Sequence, residues 1–302
     1  MKIQEVQIEG LFGKKDILWK LNPQVNVLVG ENGSGKSTIL SIIRCVLSND
    51  LDFYDRFLKN YCTHGMLIFE YGVKNIIFQH NIDFENITRL EASTPEELLD
   101  LARQYIKEKT TSMQIAGEVP NHPTKEENLY IDIIEANLTN SNANHIIQKS
   151  NQETTNALDM EIRETIYELN KIQSKEVIDR LILSLNVFFN QIGKNVIYQD
   201  NELIYTDIQL QKQLNYSDLS SGERQLIYIL LRVALSNQDK NKTAIILMDE
   251  PEISLHVNWQ ADFIKQLTLL NPDAQFIIVT HSPAIIMNGW NDVYVNMEEI
   301  TQ

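Results

Sequence analysis

Residues 30–38 contain the side chains with the clearest chemical use in this 302-residue sequence. They read Gly-Glu-Asn-Gly-Ser-Gly-Lys-Ser-Thr and match the pattern G-x-x-x-x-G-K-[ST] at every fixed position. Glycines let the backbone turn its N–H groups toward phosphate oxygens, and a following helix adds partial positive charge. The pattern predicts a cradle for a nucleoside triphosphate. Its expected ligand-binding residues are Asn32, Gly33, Ser34, Gly35, Lys36, Ser37 and Thr38.

The residues on either side of this loop have the patterns of a strand and a helix. Residues 25–29 form an apolar run typical of a buried strand, and residues 39–43 read as the first turns of a helix. In that setting, Lys36 is expected to reach the β- and γ-phosphates, and the Ser37 hydroxyl is expected to bind Mg²⁺. This context favours a phosphate-binding loop over a glycine-rich turn that binds no ligand.

Two adjacent carboxylates, Asp249 and Glu250, follow the apolar run 244–248. A buried strand delivers such residues to its C-terminal end, where ligands of α/β proteins bind. We expect Asp249 to hold Mg²⁺ and Glu250 to act as general base on the attacking water. The alternative is a pair of acidic helix-cap residues, which the upstream phosphate-binding loop disfavours.

Two more segments bring the ordered motifs to four, and the segment after Glu250, described below, is the fifth. Residues 219–225 read Leu-Ser-Ser-Gly-Glu-Arg-Gln and open a helix, and the apolar run 276–279 ends in Thr-His-Ser. Taken alone, Ser220 is an ordinary helix N-cap and His281 a structural residue after a strand. In company with the P-loop, these segments resemble the signature motif and the switch histidine of the ABC-type ATPase superfamily.

The resemblance to ABC-type ATPases rests on five motifs in order and implies specific roles for several residues. Ser220 and Gly222 are expected to meet the γ-phosphate held by the P-loop of a second subunit, which implies a homodimer. His281 is expected to touch the γ-phosphate and orient the attacking water. The family also uses a glutamine that senses Mg²⁺. Gln79 is the candidate for this metal ligand, and the alternative is that Gln79 is an ordinary surface residue.

The segment after Glu250 narrows the resemblance. Residues 249–256 read Asp-Glu-Pro-Glu-Ile-Ser-Leu-His, and the final histidine replaces the aspartate common in transporter subunits. This variant resembles the prokaryotic ATPase heads of the OLD and RecF-like type, related to SMC proteins. His256 itself has two open interpretations, a structural residue at a helix start and a functional contact.

The fold class implied is α/β: an ABC-type P-loop ATPase head with a mixed sheet, antiparallel N-terminal β hairpins and a helical insertion. Residues 1–85 and 193–302 are the expected halves of the head. Residues 86–192 are the expected insertion, mostly helical, with a polar loop at 136–157 that is rich in Asn, Thr and Ser.

Local patterns predict several elements within this plan. Apolar segments 66–71 and 75–79 predict a hairpin with its turn at 72–74, and a second hairpin is predicted around residues 196–205. A capping box beginning at Thr94 predicts a helix. A long helical pattern runs from about 158 to 192.

Composition and charge limit the classes of partner. The net charge of −15 disfavours general binding to nucleic acid. Binding to DNA through a local basic patch stays an alternative. No apolar run is long enough for a membrane span, and the N-terminus has no signal-peptide pattern. Two cysteines make no disulfide framework. We therefore expect a cytoplasmic protein without a membrane partner.

The expected function is that of an ATP- and Mg²⁺-dependent ATPase whose dimerisation acts as a switch. Few residues follow His281, so a nuclease domain of the OLD type is not expected in this sequence. A separately encoded effector protein is therefore expected, as in anti-phage or retron-linked systems. The alternatives are a RecF- or SMC-like DNA-repair head with ATP-gated DNA binding and, less favoured, the nucleotide-binding subunit of a transporter.

Overall fold

A computed structural model of the protein describes residues 2–48, 61–62, 64–69, 72–74, 129–135, 146–148, 154–236, 242–290 and 292–302. The chain divides into two compact units. The first unit comprises Met1–Lys2, Asn22–Leu40 and Lys125–Glu299. The second comprises Ile3–Leu21, Ser41–Thr124 and Ile300–Gln302.

The described strands and helices are numbered along the chain. The strands are β1 (Ile3–Leu11), β2 (Lys15–Lys20), β3 (Val25–Val29), β4 (His64–Phe69), β5 (Gly72–Lys74), β6 (Leu129–Glu135), β7 (Ile146–Gln148), β8 (Thr154–Asn156), β9 (Lys194–Gln199), β10 (Glu202–Asp207), β11 (Lys212–Leu214), β12 (Thr243–Asp249), β13 (Gln275–Thr280) and β14 (Tyr294–Asn296). The α-helices are α1 (Lys36–Ser48), α2 (Ala157–Ile172), α3 (Lys175–Phe189), α4 (Ser221–Leu235) and α5 (Val257–Leu270).

A five-stranded parallel sheet organises the first unit, in the order β14-β3-β13-β12-β6. Strands β12 and β13 are continuous apolar runs with buried side chains along almost their whole length, as strands covered on both faces require. They are parallel neighbours with α5 between them in sequence, so the predicted βαβ unit is confirmed. The sheet places the ends of β3, β12 and β13 side by side.

Helices α2 to α5 pack in the first unit around one hydrophobic core. Helix α4 is buried on nearly every side, since its residues from Leu226 to Leu231 are all at most 3% exposed. Phe188 and Phe189 of α3 pack against Trp259 of α5 with ring centroids 6.0 and 6.2 Å apart. This packing holds the first turn of α5 against α3.

The second unit contains an antiparallel sheet in the order β2-β1-β4-β5. The predicted antiparallel N-terminal hairpin is therefore confirmed. One detail is wrong: β5 occupies 72–74, where the sequence predicted a turn, and it pairs with β4. The predicted partner strand at 75–79 and the helix beginning at Thr94 lie outside the described residues.

The predicted helical pattern from 158 to 192 is confirmed, and two successive helices, α2 and α3, form most of it. Gln173 has a φ of 53°, in the left-handed region, which ends α2. Ser174 then caps α3 by accepting a hydrogen bond from the Val177 N–H at 3.4 Å. The hairpin at 196–205 is confirmed as β9 and β10, joined by Asp200 and Asn201, both with positive φ.

The range 86–192 contains more strand than the sequence patterns indicate. Strand β6 pairs with β12 at the edge of the central sheet, and β7 and β8 pair with each other inside the predicted polar loop at 136–157. The division of the chain at residues 85 and 192 stays a prediction. Among the helices that the structure describes, none combines the length and apolarity needed to cross a membrane.

Candidate functional site: a nucleotide-binding edge of the parallel sheet

The predicted phosphate-binding loop connects β3 to α1 in the first unit. Gly33 and Gly35 have φ values of +77° and +108°, which a side chain would strain. The Ser34 N–H donates to the Glu31 carbonyl at 3.2 Å, and the Ile39 N–H donates to the Gly35 carbonyl at 2.9 Å. These contacts fold the loop tightly over the first turn of α1, as a phosphate cradle requires.

The other predicted loop residues differ in exposure. Asn32 and Gly33 lie exposed at the loop tip, whereas Gly35 is buried. Ser37 is exposed and Thr38 is half-buried. The Ser34 hydroxyl is buried and has no hydrogen-bond partner among the described residues. A polar atom in this setting fits a ligand with acceptor or donor oxygens.

Lys36 extends back across the loop, and its side chain is only 3% exposed. Its Nζ donates to the carbonyl oxygens of Gly30 and Glu31, both at 2.9 Å. Burial lowers the pKa of Lys36, and the nearby carboxylates of Glu250, Asp249 and Glu252 act in the opposite direction. The loop thus holds a cation at its centre, and the replaceable carbonyl contacts leave that cation able to bind phosphate.

Asp249 and Ser37 meet at the carboxyl end of β12. The Ser37 hydroxyl donates to Asp249 Oδ1 at 3.0 Å. Both are oxygen ligands of the kind that Mg²⁺ prefers, and Mg²⁺ usually takes one or two carboxylates together with substrate phosphates. The pair therefore fits the predicted metal site.

The third predicted metal ligand, Gln79, lies outside the described residues. Within the part of the chain that the structure describes, no group of three or more His, Cys, Asp or Glu side chains is arranged to hold a metal ion. A site completed by a hydroxyl and by phosphate oxygens does not need such a group.

His281 lies between the predicted base and the P-loop lysine. Its Nε2 is 2.8 Å from Glu250 Oε1 and 3.0 Å from Lys36 Nζ. One imidazole nitrogen either donates its proton or accepts one, so it can donate to Glu250 or accept from Lys36 but not both. Lys36, Glu250 and His281, all predicted from the sequence, therefore form one hydrogen-bonding group. Within it, the imidazole proton of His281 has two alternative positions.

Glu250 has an unusual backbone. Its φ of 47° lies in the left-handed region, and its N–H donates to the Val279 carbonyl at 2.8 Å. This hydrogen bond joins the end of β12 to β13, just before the switch histidine. The conformation turns the chain sharply after Asp249, so the two adjacent carboxylates have separate surroundings.

Glu252 is a buried carboxylate that the sequence analysis left without a role. It is 6% exposed, and its Oε1 accepts hydrogen bonds from Thr280 and from the N–H groups of His281 and Ser282. Burial raises the pKa of Glu252, and these hydrogen bonds oppose the change. The signal in the sequence was a third acidic residue close to Asp249 and Glu250, which spacing alone does not assign to the site.

The signature segment begins α4 with a complete capping box. The Ser220 hydroxyl accepts from the Glu223 N–H at 3.3 Å, and the Glu223 carboxylate accepts from the Ser220 N–H at 2.6 Å. Lys194 donates to the same carboxylate at 2.5 Å. A Cβ added at Gly222 would lie 2.2 Å from the Ser254 carbonyl oxygen, so only glycine fits there.

His256 caps helix α5. Its Nδ1 accepts a hydrogen bond from the Asn258 N–H at 3.3 Å, and its side chain is exposed. Of the two interpretations left open by the sequence, the structure therefore supports the helix-start role.

The P-loop lysine follows β3, the histidine follows the neighbouring strand β13, and the paired carboxylates lie at the end of β12, the next strand in the sheet. This arrangement defines an ABC-type P-loop ATPase head. A family model described as "AAA domain, putative AbiEii toxin, Type IV TA system" matches residues 25–288, and the chain belongs to this family. The chain thus carries the AAA domain that this family model describes.

Curated relatives and a solved structure agree with this assignment. The chain is 24% identical to "Retron Vc95 probable ATPase" of Vibrio cholerae serotype O1 biovar El Tor, covering 86% of this chain and 66% of that protein, slightly less than two thirds of its length. It is 24% identical to "Septu protein PtuA" of Bacillus thuringiensis, covering 94% and 72%. The SMC head domain from Thermotoga maritima superposes with a TM-score of 0.53 at 16% identity over 98% of this chain and 94% of that one, which shows a shared fold.

Proposed function

We propose that this ATPase is a switch that dimerises through composite ATP sites and regulates, or senses for, a separately encoded effector in anti-phage defence. The observation that carries the proposal is the group formed by Lys36, Glu250 and His281, with His281 Nε2 at 3.0 Å and 2.8 Å from its two partners. A base, a phosphate-binding cation and a histidine in contact with both are parts that a hydrolysis-driven switch needs.

Each residue has a defined task in this proposal. Lys36 exchanges its carbonyl contacts for phosphate oxygens and stabilises the charge of the transferring phosphoryl group. Glu250 accepts a proton from the attacking water, which His281 orients. Ser37 and Asp249 would hold Mg²⁺, which would neutralise phosphate charge when bound.

The second half of each ATP site is proposed to come from the signature segment of another subunit. The capping box satisfies Ser220 within its own helix start, so contacts within the same chain define the conformation of the segment. The N-terminus of α4 offers partial positive charge to a phosphate. ATP therefore would join two subunits, and hydrolysis would release them.

The anti-phage role is supported by the names of the relatives in retron and Septu systems. We propose that the effector is a separate protein. We place the ATPase in the cytoplasm, with no membrane partner.

The decisive experiment is the variant Glu250→Gln. It removes the base but keeps the shape of the side chain, so kcat is expected to fall on the order of 100-fold to 10,000-fold while ATP still binds. Light scattering after gel filtration with saturating ATP and Mg²⁺ should then detect a stable dimer. The exposed Glu202→Gln is the matched control and should hydrolyse ATP as the wild type does. A Glu250→Gln protein that stays monomeric contradicts the dimer switch.

ATP-gated DNA binding, as in a repair head, is a second function compatible with the SMC-like fold. The net charge of −15 weighs against it. An ATP-dependent DNA affinity that falls steeply with salt would favour this alternative over the effector-linked switch.

A further inference from the structure

The loop that carries His281 is attached to Glu252 by three hydrogen bonds. Glu252 Oε1 accepts from the His281 N–H at 3.2 Å, from the Ser282 N–H at 3.3 Å and from the Thr280 hydroxyl. The three donors are consecutive residues at the end of β13. A single carboxylate oxygen therefore fixes the backbone on both sides of the switch histidine.

The same loop has a second anchor on the other side. The Ser282 hydroxyl donates to Gln260 Oε1 at 2.6 Å, and Gln260 Nε2 donates to the Leu255 carbonyl at 3.3 Å. The Leu255 N–H in turn donates to the Glu252 carbonyl at 2.8 Å. The segment after Glu250 and the loop of His281 thus form one closed hydrogen-bonded ring.

Fold stability alone does not account for a carboxylate in this position. Glu252 Oε2 is buried and has no hydrogen-bond partner among the described residues. Burying a charged group that is only partly satisfied is unfavourable, so a neutral side chain would suit the core better. A buried polar group that lowers stability in this way is expected where the residue has a role in the functional site.

We propose that Glu252 is a positioning residue, which holds the backbone of His281 so that the imidazole stays between Glu250 and Lys36. The inference rests on the proposed role of His281 in hydrolysis. Glu252 would act through the histidine loop, whose residues 280–282 it contacts.

The test compares Glu252→Ala, His281→Ala and the double variant by steady-state ATP hydrolysis and by binding of a fluorescent ATP analogue. Glu252→Ala should lower kcat roughly 10-fold to 100-fold, as loss of a supporting hydrogen-bond partner does, with nucleotide affinity nearly unchanged. In the His281→Ala background, the same change should have little further effect, because both act through one group.

Glu252→Gln provides a variant that keeps the side-chain volume in case Glu252→Ala fails to fold, and a several-fold lower kcat is expected because a neutral amide oxygen accepts less strongly. Asp132→Asn is the matched control, since it makes the same chemical change at a buried acid, 2% exposed, that is paired with Arg232 on α4. It should lower thermal stability and leave kcat of the folded protein unchanged.

The outcomes separate the two proposals. If His281→Ala hydrolyses ATP at the wild-type rate, the role of His281 is wrong, and the inference about Glu252 is overturned with it. If His281→Ala is slow while both Glu252 variants keep the wild-type kcat, only the inference about Glu252 is overturned. Additive losses in the double variant also overturn it, because they indicate a general structural effect.

Discussion

The P-loop and the start of the signature helix satisfy their polar groups in opposite ways. At the P-loop, Lys36 and Ser37 contact residues that follow other strands, among them His281 and Asp249. At the start of α4, Ser220 and Glu223 satisfy each other within one helical turn, and Lys194 adds an ion pair to Glu223. Contacts of the first kind can be exchanged for phosphate oxygens, whereas those of the second kind hold a rigid surface. The two regions therefore suit different tasks in one composite site, the first reactive and the second presenting a fixed shape.

The largest effect expected from this contrast is the loss of binding and hydrolysis in Lys36→Ala. Removing a preorganised cation from a phosphate site should lower kcat/KM on the order of 100-fold to 1,000-fold. Thermal stability should hold or rise, because the variant removes a desolvated ammonium group. Steady-state hydrolysis and thermal denaturation measure the two effects.

Lys265→Ala, on the exposed side of α5, is the control for this variant and should change neither quantity. The contrast between the regions fails if Lys36→Ala instead lowers thermal stability markedly while kcat/KM and ATP affinity keep their wild-type values.

The next largest effect is expected for Gly222→Ala, as a loss of unfolding free energy. A methyl group there would meet the Ser254 carbonyl oxygen at 2.2 Å, so the backbone of α4 or of the following segment must move. Overpacking of this kind costs about 1–3 kcal/mol of unfolding free energy, measurable by urea denaturation. The neighbouring and exposed Ser221→Ala should change the unfolding free energy by less than about 0.5 kcal/mol. A fully stable Gly222→Ala would show that this surface is not rigid.

The smallest effect is expected from Ser220→Ala, which removes the helix cap. Loss of an N-cap costs about 1 kcal/mol, whereas Ser220→Asn should keep the cap and most of the stability. Comparing ATP hydrolysis of the two variants at equal folded fraction shows whether Ser220 acts as a helix cap or as a phosphate ligand. If only the cap matters, Ser220→Asn hydrolyses ATP normally. If the hydroxyl meets a phosphate, both variants are slow.

The sequence was sufficient for the residues whose roles follow from short-range pattern. The P-loop, the end of β12 and the end of β13 could be predicted because continuous apolar runs mark buried parallel strands, and polar residues follow directly after them. The meeting of Asp249 with Ser37 then follows from the order of strands in such a sheet.

Other features depend on long-range packing and could not be predicted from local pattern. Strand β6 enters the sheet beside β12, and its Asp132 pairs with Arg232 of α4, far away in sequence. The role of Glu252 depends on the loop of β13 folding over it, which no spacing in residues 249–256 encodes. The break between α2 and α3 was signalled by Ser174 as an N-cap, but continuous helical periodicity on both sides concealed it.

The backbone of Glu250 has a consequence for engineering this protein. A glutamate with a φ of 47° stores unfavourable conformational energy, on the order of 1–3 kcal/mol. Glycine would relax that strain and remove the carboxylate at the same time. Selection for heat resistance alone would therefore favour glycine at this position and yield an inactive protein. Thermostability and turnover have to be selected together.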